Sequence, residues 1–187
     1  MKNKKSFRKN IPNIITSLRF VGTIGILLLP PLKLFYFIVY TLTGITDVLD
    51  GFISRKMNLT SDFGARLDSI ADLFFYAVSI IILLPILVEK LPYYIWIFVA
   101  VILTVRICSY IVSAIRFHRF ATHHTYLNKI TGVFVFAVPY SLITDYYVAF
   151  CITVCVIGFL SSLEDLLIHI IFAEYNDSIK TVLPLNR

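Results

Sequence analysis

The sequence has little charge and little cysteine for its 187 residues. Charged side chains make up 15% of it, against about 25% in an average globular domain, whereas hydrophobic residues make up 58% and the mean hydropathy is +0.84. This composition excludes an ordinary soluble globular protein and indicates a membrane protein. The three cysteines lack the C-x-x-C spacing of a metal or redox site, which favours a packing role for Cys108, Cys151 and Cys155.

The sequence also lacks an internal repeat, a low-complexity tract and an interdomain linker, so we expect one membrane domain over residues 1–187. No small-residue cleavage site follows the first apolar run, so residues 1–12 are expected to be a basic cytoplasmic segment and not part of a signal peptide. Residues 174–187 are expected to form a cytoplasmic tail. A net charge of +6 without a basic and aromatic surface motif indicates anionic lipids and phosphate-bearing substrates as partners, and no nucleic acid.

Six apolar stretches follow one another, at approximately residues 14–30, 33–56, 62–87, 91–115, 127–144 and 147–173. Several reach the roughly 20 residues that cross a hydrocarbon core of about 30 Å. With the N-terminus in the cytoplasm, all of the 17 Lys and Arg residues except Lys33 and Lys90 fall at or toward the inner side, as the positive-inside rule requires. We therefore predict an all-α integral membrane protein with six transmembrane helices and both termini cytoplasmic.

Four aspartates, Asp47, Asp50, Asp68 and Asp72, lie inside two of these apolar stretches. A charged side chain near the bilayer centre costs about 2.5–3.5 kcal/mol, so four together require a compensating ligand. Their spacing of three or four residues places each pair on one face of its helix, and two antiparallel helices joined by a short turn bring such faces together. Hard oxygen ligands favour Mg²⁺, Mn²⁺ or Ca²⁺ over zinc, and two such ions would clamp a diphosphate.

The residues around the aspartates suit a phosphate ligand. Gly51 and Gly64 leave the backbone open to close approach, and Arg55 offers a planar cation. Ser61 or Asp62 is a candidate cap for the third helix, which places Gly64 near the positive end of the helix dipole.

The pattern Asp-x-x-Asp-Gly-x-x-Ser-Arg, eight residues, then Gly-x-x-x-Asp-x-x-x-Asp resembles the signature of the CDP-alcohol phosphotransferases, integral membrane enzymes of phospholipid synthesis. Ser54 stands where that family usually has alanine. The motif covers residues 47–72, and the six-helix plan extends the resemblance over nearly the whole chain. The resemblance implies transfer of a phosphatidyl group from CDP-diacylglycerol to an alcohol with release of CMP. It also implies Mg²⁺ or Mn²⁺ as cofactor, a homodimer, and a bacterial plasma membrane location with the active site facing the cytoplasm.

The resemblance further assigns roles to individual residues. Metal would be bound by Asp47, Asp50, Asp68 and Asp72, and Asp72 would also take the proton from the acceptor hydroxyl. The CDP pocket would be lined by Asp47, Gly51, Ser54, Arg55, Gly64 and Asp68.

Two further segments bear on which alcohol is the acceptor. The opening run Asn10-Ile-Pro-Asn-Ile-Ile-Thr-Ser-Leu-Arg19, with Pro12 and Asn13 starting the first helix, is similar to the start of bacterial family members that make phosphatidylglycerophosphate or cardiolipin. We therefore expect glycerol 3-phosphate as the acceptor. The glycerophosphate branch usually carries a Gly-Lys-x-Lys-Thr run after the fourth span, of which this chain keeps one lysine. Candidates for binding the acceptor phosphate are Arg106, Arg116 and Lys129. Phosphatidylglycerol, inositol phosphate and serine remain alternative acceptors.

Other interpretations stay open beside this one. Buried acids also mark cation transporters, although mid-depth polar residues in several spans and an inverted repeat are not found here, and an inactive scaffold would keep the same motif. Arg106 lies deep enough to need a partner, either substrate phosphate or an acid of the sixth stretch, and a structural ion pair is the favoured role of Glu164 and Asp165. The histidines of the longest polar turn are expected to be solvated loop residues: His118, His123 and His124.

Overall fold

The computed structural model describes the backbone of residues 2–57, 62–117, 125–171 and 181, and the side chains of residues 15–46, 64, 66–117, 125–171 and 181. Its elements within those ranges are six α-helices: α1 Lys2–Leu28, α2 Leu34–Met57, α3 Asp62–Lys90, α4 Tyr93–Phe117, α5 Tyr126–Ser141 and α6 Tyr147–Ile171. Each of the six predicted apolar stretches corresponds to one helix, so the all-helical prediction is confirmed.

Three helical segments are long and apolar enough to cross a bilayer: Arg66–Lys90, Tyr93–Phe117 and Tyr147–Ile171, each of 25 residues. At 1.5 Å per residue such a segment is about 37 Å long, more than the roughly 30 Å of a hydrocarbon core. The apolar parts Ile15–Leu28 and Leu34–Thr46 are shorter, and α5 has 16 residues. The predicted membrane character is thus confirmed for three helices, whereas the six-span topology and its orientation stay predictions.

The first helix begins earlier than the sequence indicated. We expected residues 1–12 to precede a helix starting at Pro12 and Asn13, but α1 runs from Lys2. Lysine and arginine are good helix formers, so the basic segment extends the helix. At its other end α1 stops at Leu28, just before Pro30 and Pro31, because proline disfavours the helical conformation of the residue before it.

The chain forms two compact units, Met1–Lys90 and Leu91–Arg187, here called the first unit and the second unit. In the first unit α1 packs against α2 and α3, and in the second α6 packs against α4 and α5. The core of the first unit contains a run of aromatic rings, in which Tyr40 lies 5.7 Å from Tyr36 and 5.3 Å from Phe75 between ring centroids. These contacts join α2 to α3.

The crossing of α1 and α2 is close because residue 22 is glycine. A Cβ atom at Gly22 would collide with the Thr43 hydroxyl and lie 3.3 Å from its Cβ. The Thr43 side chain is fixed, since its hydroxyl donates to the Val39 carbonyl at 2.7 Å. Small residues let membrane helices approach in this way. The crossing lies within one turn of Arg19 along α1.

Candidate active site

The described part of the site is an arginine of α1 paired with two carboxylates of α3. Arg19 Nη1 donates to Asp68 Oδ1 at 2.9 Å and also to Asp72 Oδ1. The Arg19 side chain is 1% exposed, whereas those of Asp68 and Asp72 are 38% and 37% exposed. The cation is therefore buried, and the two carboxylates form the accessible side of the group.

Helix geometry and packing place these three side chains. Asp68 and Asp72 are four residues apart, so they lie on the same face of α3 one turn after another. On α1, Thr23 Oγ1 donates to the Arg19 carbonyl at 2.8 Å. Phe20, which follows Arg19, stacks on Phe74 of α3 with 5.7 Å between ring centroids. The Phe20–Phe74 contact thus joins α1 to α3 beside the ion pairs.

The carboxylate pair fits a divalent cation in donor chemistry. Both Oδ1 atoms accept from the same guanidinium nitrogen, so both lie within hydrogen-bonding reach of one point. Mg²⁺ and Mn²⁺ prefer carboxylate oxygens, and partial exposure of both groups leaves room for a ligand that completes the coordination. Within the side chains that the structure describes, no group of three or more His, Cys, Asp and Glu residues is found, so this pair is a partial ligand set.

The remaining motif residues are only partly described. Gly64 is the third residue of α3, so the predicted helix start just ahead of it is confirmed. Five others lie within the backbone of α2, but their side chains fall outside the described residues: Asp47, Asp50, Gly51, Ser54 and Arg55. The predicted meeting of two aspartate pairs therefore stays a prediction. Ser61, the three loop histidines and most of the tail 174–187 also lie outside the described residues.

In the second unit, Arg106 of α4 contacts an amide and not an acid. Both of its terminal nitrogens donate to Asn128 Oδ1, each at 3.0 Å, and Ser161 of α6 donates to the same oxygen at 2.8 Å. Thr125 caps α5 by accepting from the Asn128 backbone N–H at 3.2 Å. This Asn128 cluster of Arg106, Asn128 and Ser161 joins three helices. The sequence indicated substrate phosphate or an acid as the partner of Arg106 and did not indicate this amide.

The other two candidates for the acceptor phosphate have different neighbours. Arg116 Nη1 donates to the His169 carbonyl at 2.9 Å and also to the Ile170 carbonyl. These carbonyls belong to the last turn of α6 as far as the structure describes that helix. Lys129 Nζ lies 6.0 Å from the centre of the Tyr126 ring. Arg106 and Lys129 adjoin the same asparagine, whereas Arg116 contacts the end of α6.

The acids of α6 are buried close to a histidine. Asp165 and His169 have no exposed surface, and Glu164 is 9% exposed. Glu164 accepts a hydrogen bond from Thr181 at 2.9 Å, and the His169 Nδ1 atom lies 2.9 Å from Ser109 Oγ. Glu164 thus links α6 to the one described residue of the tail, a contact that the sequence did not indicate.

Two residues of these sites were missed from the sequence as site members. The sequence identifies Arg19 only as the last residue of the opening run, yet a lone arginine in an apolar stretch requires an anionic partner, and Asp68 and Asp72 are among the acids in the neighbouring helices. Asn128 gave a weaker signal, because an asparagine near a helix start is usually a cap or turn residue.

The three long apolar helices define the chain by class as a helical membrane protein. Its family follows from its sequence, because the family model described as CDP-alcohol phosphatidyltransferase matches residues 9–168. The chain belongs to that family. The match contains α2 to α5 in full, most of α1 and α6, and the whole signature between residues 47 and 72.

Relatives with a more specific name match shorter segments. The CDP-diacylglycerol–glycerol-3-phosphate 3-phosphatidyltransferase of Rickettsia bellii is 37% identical over 82 residues, covering 41% of this chain and 45% of the relative. The Pseudomonas fluorescens protein of that name is 34% identical over 85 residues, 40% of each chain. An Arabidopsis thaliana form, numbered 2, is 49% identical over 45 residues, 24% of this chain and 19% of the relative. The chain thus matches less than half the length of these relatives. No solved structure matches it.

Proposed function

We propose that the chain transfers the phosphatidyl group of CDP-diacylglycerol to the hydroxyl of glycerol 3-phosphate and releases CMP. The observation that carries this proposal is the pair Asp68 and Asp72, which lie side by side on α3 at the family spacing and converge on one point. The names of the relatives favour glycerol 3-phosphate among the acceptors.

The proposed arrangement in the membrane has six spanning helices with both termini in the cytoplasm. Six helices and the distribution of lysine and arginine support it. Bacterial relatives support a plasma membrane location, with the acidic site open to the cytoplasm. The homodimer remains a prediction from the resemblance.

The chemistry proposed for the first unit uses carboxylates in two roles. Mg²⁺ or Mn²⁺ would be held by Asp47, Asp50, Asp68 and Asp72, in a two-metal site. Bound divalent cations would supply charge neutralisation to the diphosphate and to the departing CMP. Asp72 takes the proton of the acceptor hydroxyl, and that oxygen forms a bond to the β-phosphorus. The bond from this phosphorus to the oxygen of CMP breaks, and CMP keeps the electron pair.

The CDP moiety is proposed to lie against the rest of the signature. Its contacts would come from Asp47, Gly51, Ser54, Arg55, Gly64 and Asp68. Gly64 is the third residue of α3, where the N-terminal end of a helix favours a phosphate. Arg55 suits a phosphate because its planar guanidinium can donate two parallel hydrogen bonds.

The acceptor phosphate is proposed to bind cations of the second unit. Arg106 is the strongest candidate, because its described partner Asn128 is neutral and leaves the positive charge of the guanidinium available to an anion. Lys129 follows Asn128 directly and would add a second charge. Arg116 would have to exchange the carbonyls of α6 for phosphate, so it has the largest reorganisation to make.

The test is CMP release by the purified protein in lipid nanodiscs with CDP-diacylglycerol and Mn²⁺. Separate reactions contain glycerol 3-phosphate, phosphatidylglycerol, inositol phosphate or serine, each with a control that lacks acceptor and a control with EDTA. We expect release that depends on glycerol 3-phosphate and is lost with EDTA. Release with another acceptor alone would reject glycerol 3-phosphate, and no release with any of them would reject the transferase.

A further inference from the structure

We propose that Arg19 is an exchangeable counter-ion of the acidic site. Its guanidinium pairs with Asp68 and Asp72, and it gives up these carboxylates to a divalent cation and takes a substrate phosphate in their place. This inference rests on the proposed function, since it names a residue outside the signature that links metal binding to phosphate binding. Arg19 would then be a binding and positioning residue of the same site.

The first step of the argument is competition for the same oxygens. Asp68 Oδ1 and Asp72 Oδ1 both accept from Arg19 Nη1, and carboxylate oxygens are the atoms that Mg²⁺ or Mn²⁺ would bind. A guanidinium and a divalent cation repel each other at contact distances, more strongly in a buried site than in water. Occupation of both carboxylates by the ion therefore disfavours the present position of the guanidinium, and the presence of Arg19 weakens binding of the ion.

The second step is the difference in exposure. Arg19 is 1% exposed, but the carboxylates that it contacts are more than one third exposed. A ligand can reach the carboxylates from their open side, whereas Arg19 lies on a face of α1 where Thr16 and Thr23, its neighbours one turn away, are also buried. A buried arginine in an apolar helix gains from an anion close by.

The third step is the charge of the group. One guanidinium with two carboxylates carries a single net negative charge, which attracts a cation. A divalent cation on the carboxylates cancels their charge and leaves the positive charge of Arg19 to attract an anion. The planar guanidinium donates well to phosphate oxygens, so a diphosphate or phosphate of the substrate is the anion expected. Metal and phosphate then favour each other's binding, and this coupling is reciprocal.

The test measures Mn²⁺ binding to the purified full chain by calorimetry in nanodiscs, without nucleotide. Arg19→Gln should bind Mn²⁺ about tenfold more tightly than the wild type, because the competing charge is gone, within the 5- to 150-fold range usual for coupled sites. Arg19→Lys keeps the charge and should stay within about threefold of the wild type. The matched control is Arg66→Gln, which removes the same charge from an exposed residue on the opposite face of α3, and it should also stay within about threefold.

The second measurement repeats the titration with CDP at saturating Mn²⁺ and with EDTA. The factor by which Mn²⁺ improves CDP affinity should be at least about fivefold smaller in Arg19→Gln than in the wild type. Equal or weaker Mn²⁺ affinity in folded Arg19→Gln would overturn the inference, and so would an unchanged coupling factor.

The inference can still be tested if the Arg19→Gln variant does not fold. If Arg19→Gln fails to fold, Arg19→Gln combined with Asp72→Asn restores the balance of charge and is compared with Asp72→Asn alone. The arginine substitution must then strengthen Mn²⁺ binding to the remaining carboxylates, and equal affinities would overturn the inference. The outcome is separable from the proposed function. Failure of the transferase appears as absent CMP release, whereas failure of the counter-ion appears as unchanged Mn²⁺ affinity in an enzyme that still releases CMP.

Discussion

Each unit contains a buried or half-buried arginine, and the two arginines have different kinds of hydrogen-bond acceptor. In the first unit, Arg19 contacts two carboxylates, and in the second, Arg106 contacts the amide oxygen of Asn128. A guanidinium paired with carboxylates can be replaced by another cation, because carboxylate oxygens bind either a metal ion or arginine. An amide oxygen is neutral, so the Asn128 cluster joins helices without cancelling the charge of Arg106.

In the proposed transferase the two units have different roles. The acids of the first unit would bind metal and take a proton, whereas the cations of the second, which contact neutral groups, would bind the anionic acceptor. Arg116 extends the second pattern, since it too contacts neutral carbonyl oxygens, at the end of α6. Substitutions in one unit should therefore change the chemistry, and substitutions in the other should change binding of the acceptor or stability.

The largest effect is expected for the carboxylate proposed as the base. Asp72→Asn should lower kcat for CMP release by about 10²- to 10⁴-fold, the usual contribution of a general base, with CDP binding largely retained. The matched control is Asp145→Asn at an exposed turn of the second unit, which should change kcat by less than about twofold. Steady-state kinetics with glycerol 3-phosphate provide the check. Wild-type turnover by Asp72→Asn would remove the base assignment and, with it, the chemical role given to the first unit.

An intermediate effect is expected for the cations of the second unit. Arg106→Gln keeps an N–H donor for Asn128 but removes the charge, so KM for glycerol 3-phosphate should rise about tenfold or more, the loss expected for a charged hydrogen bond. Arg116→Gln should leave KM within about threefold and lower the melting temperature, because its contacts are backbone carbonyls. The two KM values and melting curves are measured side by side. A reversed order would mean that Arg116 and not Arg106 binds the acceptor.

The smallest effect is expected at two glycines that differ in their surroundings. Gly22→Ala places a methyl group against Thr43 and should lower the free energy of unfolding by about 1–3 kcal/mol, the usual cost of overpacking. Gly132→Ala in α5 meets nothing within 4 Å and should raise it by up to about 1 kcal/mol through helix propensity. Melting temperatures in one nanodisc preparation compare them. Equal shifts of the same sign would show that the α1–α2 crossing is not tightly packed.

The sequence predicted the helices well, because each apolar stretch is bounded by polar or proline-containing turns. It placed the α3 start before Gly64. It failed at Lys2, where helix propensity extended α1 through the basic segment that was expected to precede it. Among the site residues, Asp68 and Asp72 stood out because acids are rare in apolar helices. Arg19 and Asn128 did not, because their roles arise from contacts between helices that are distant in the chain, and one sequence does not reveal such contacts.

The short α5 has a consequence for the lipid around the protein. Sixteen residues give a helix of about 24 Å, several ångströms shorter than a typical hydrocarbon core, and Pro139 lies within it. In the proposed six-span arrangement, this mismatch is relieved if the bilayer thins beside α5. Lipids with shorter acyl tails would then be enriched there. The acyl-chain length of the host membrane's lipids would therefore influence how readily the protein inserts and how active it is.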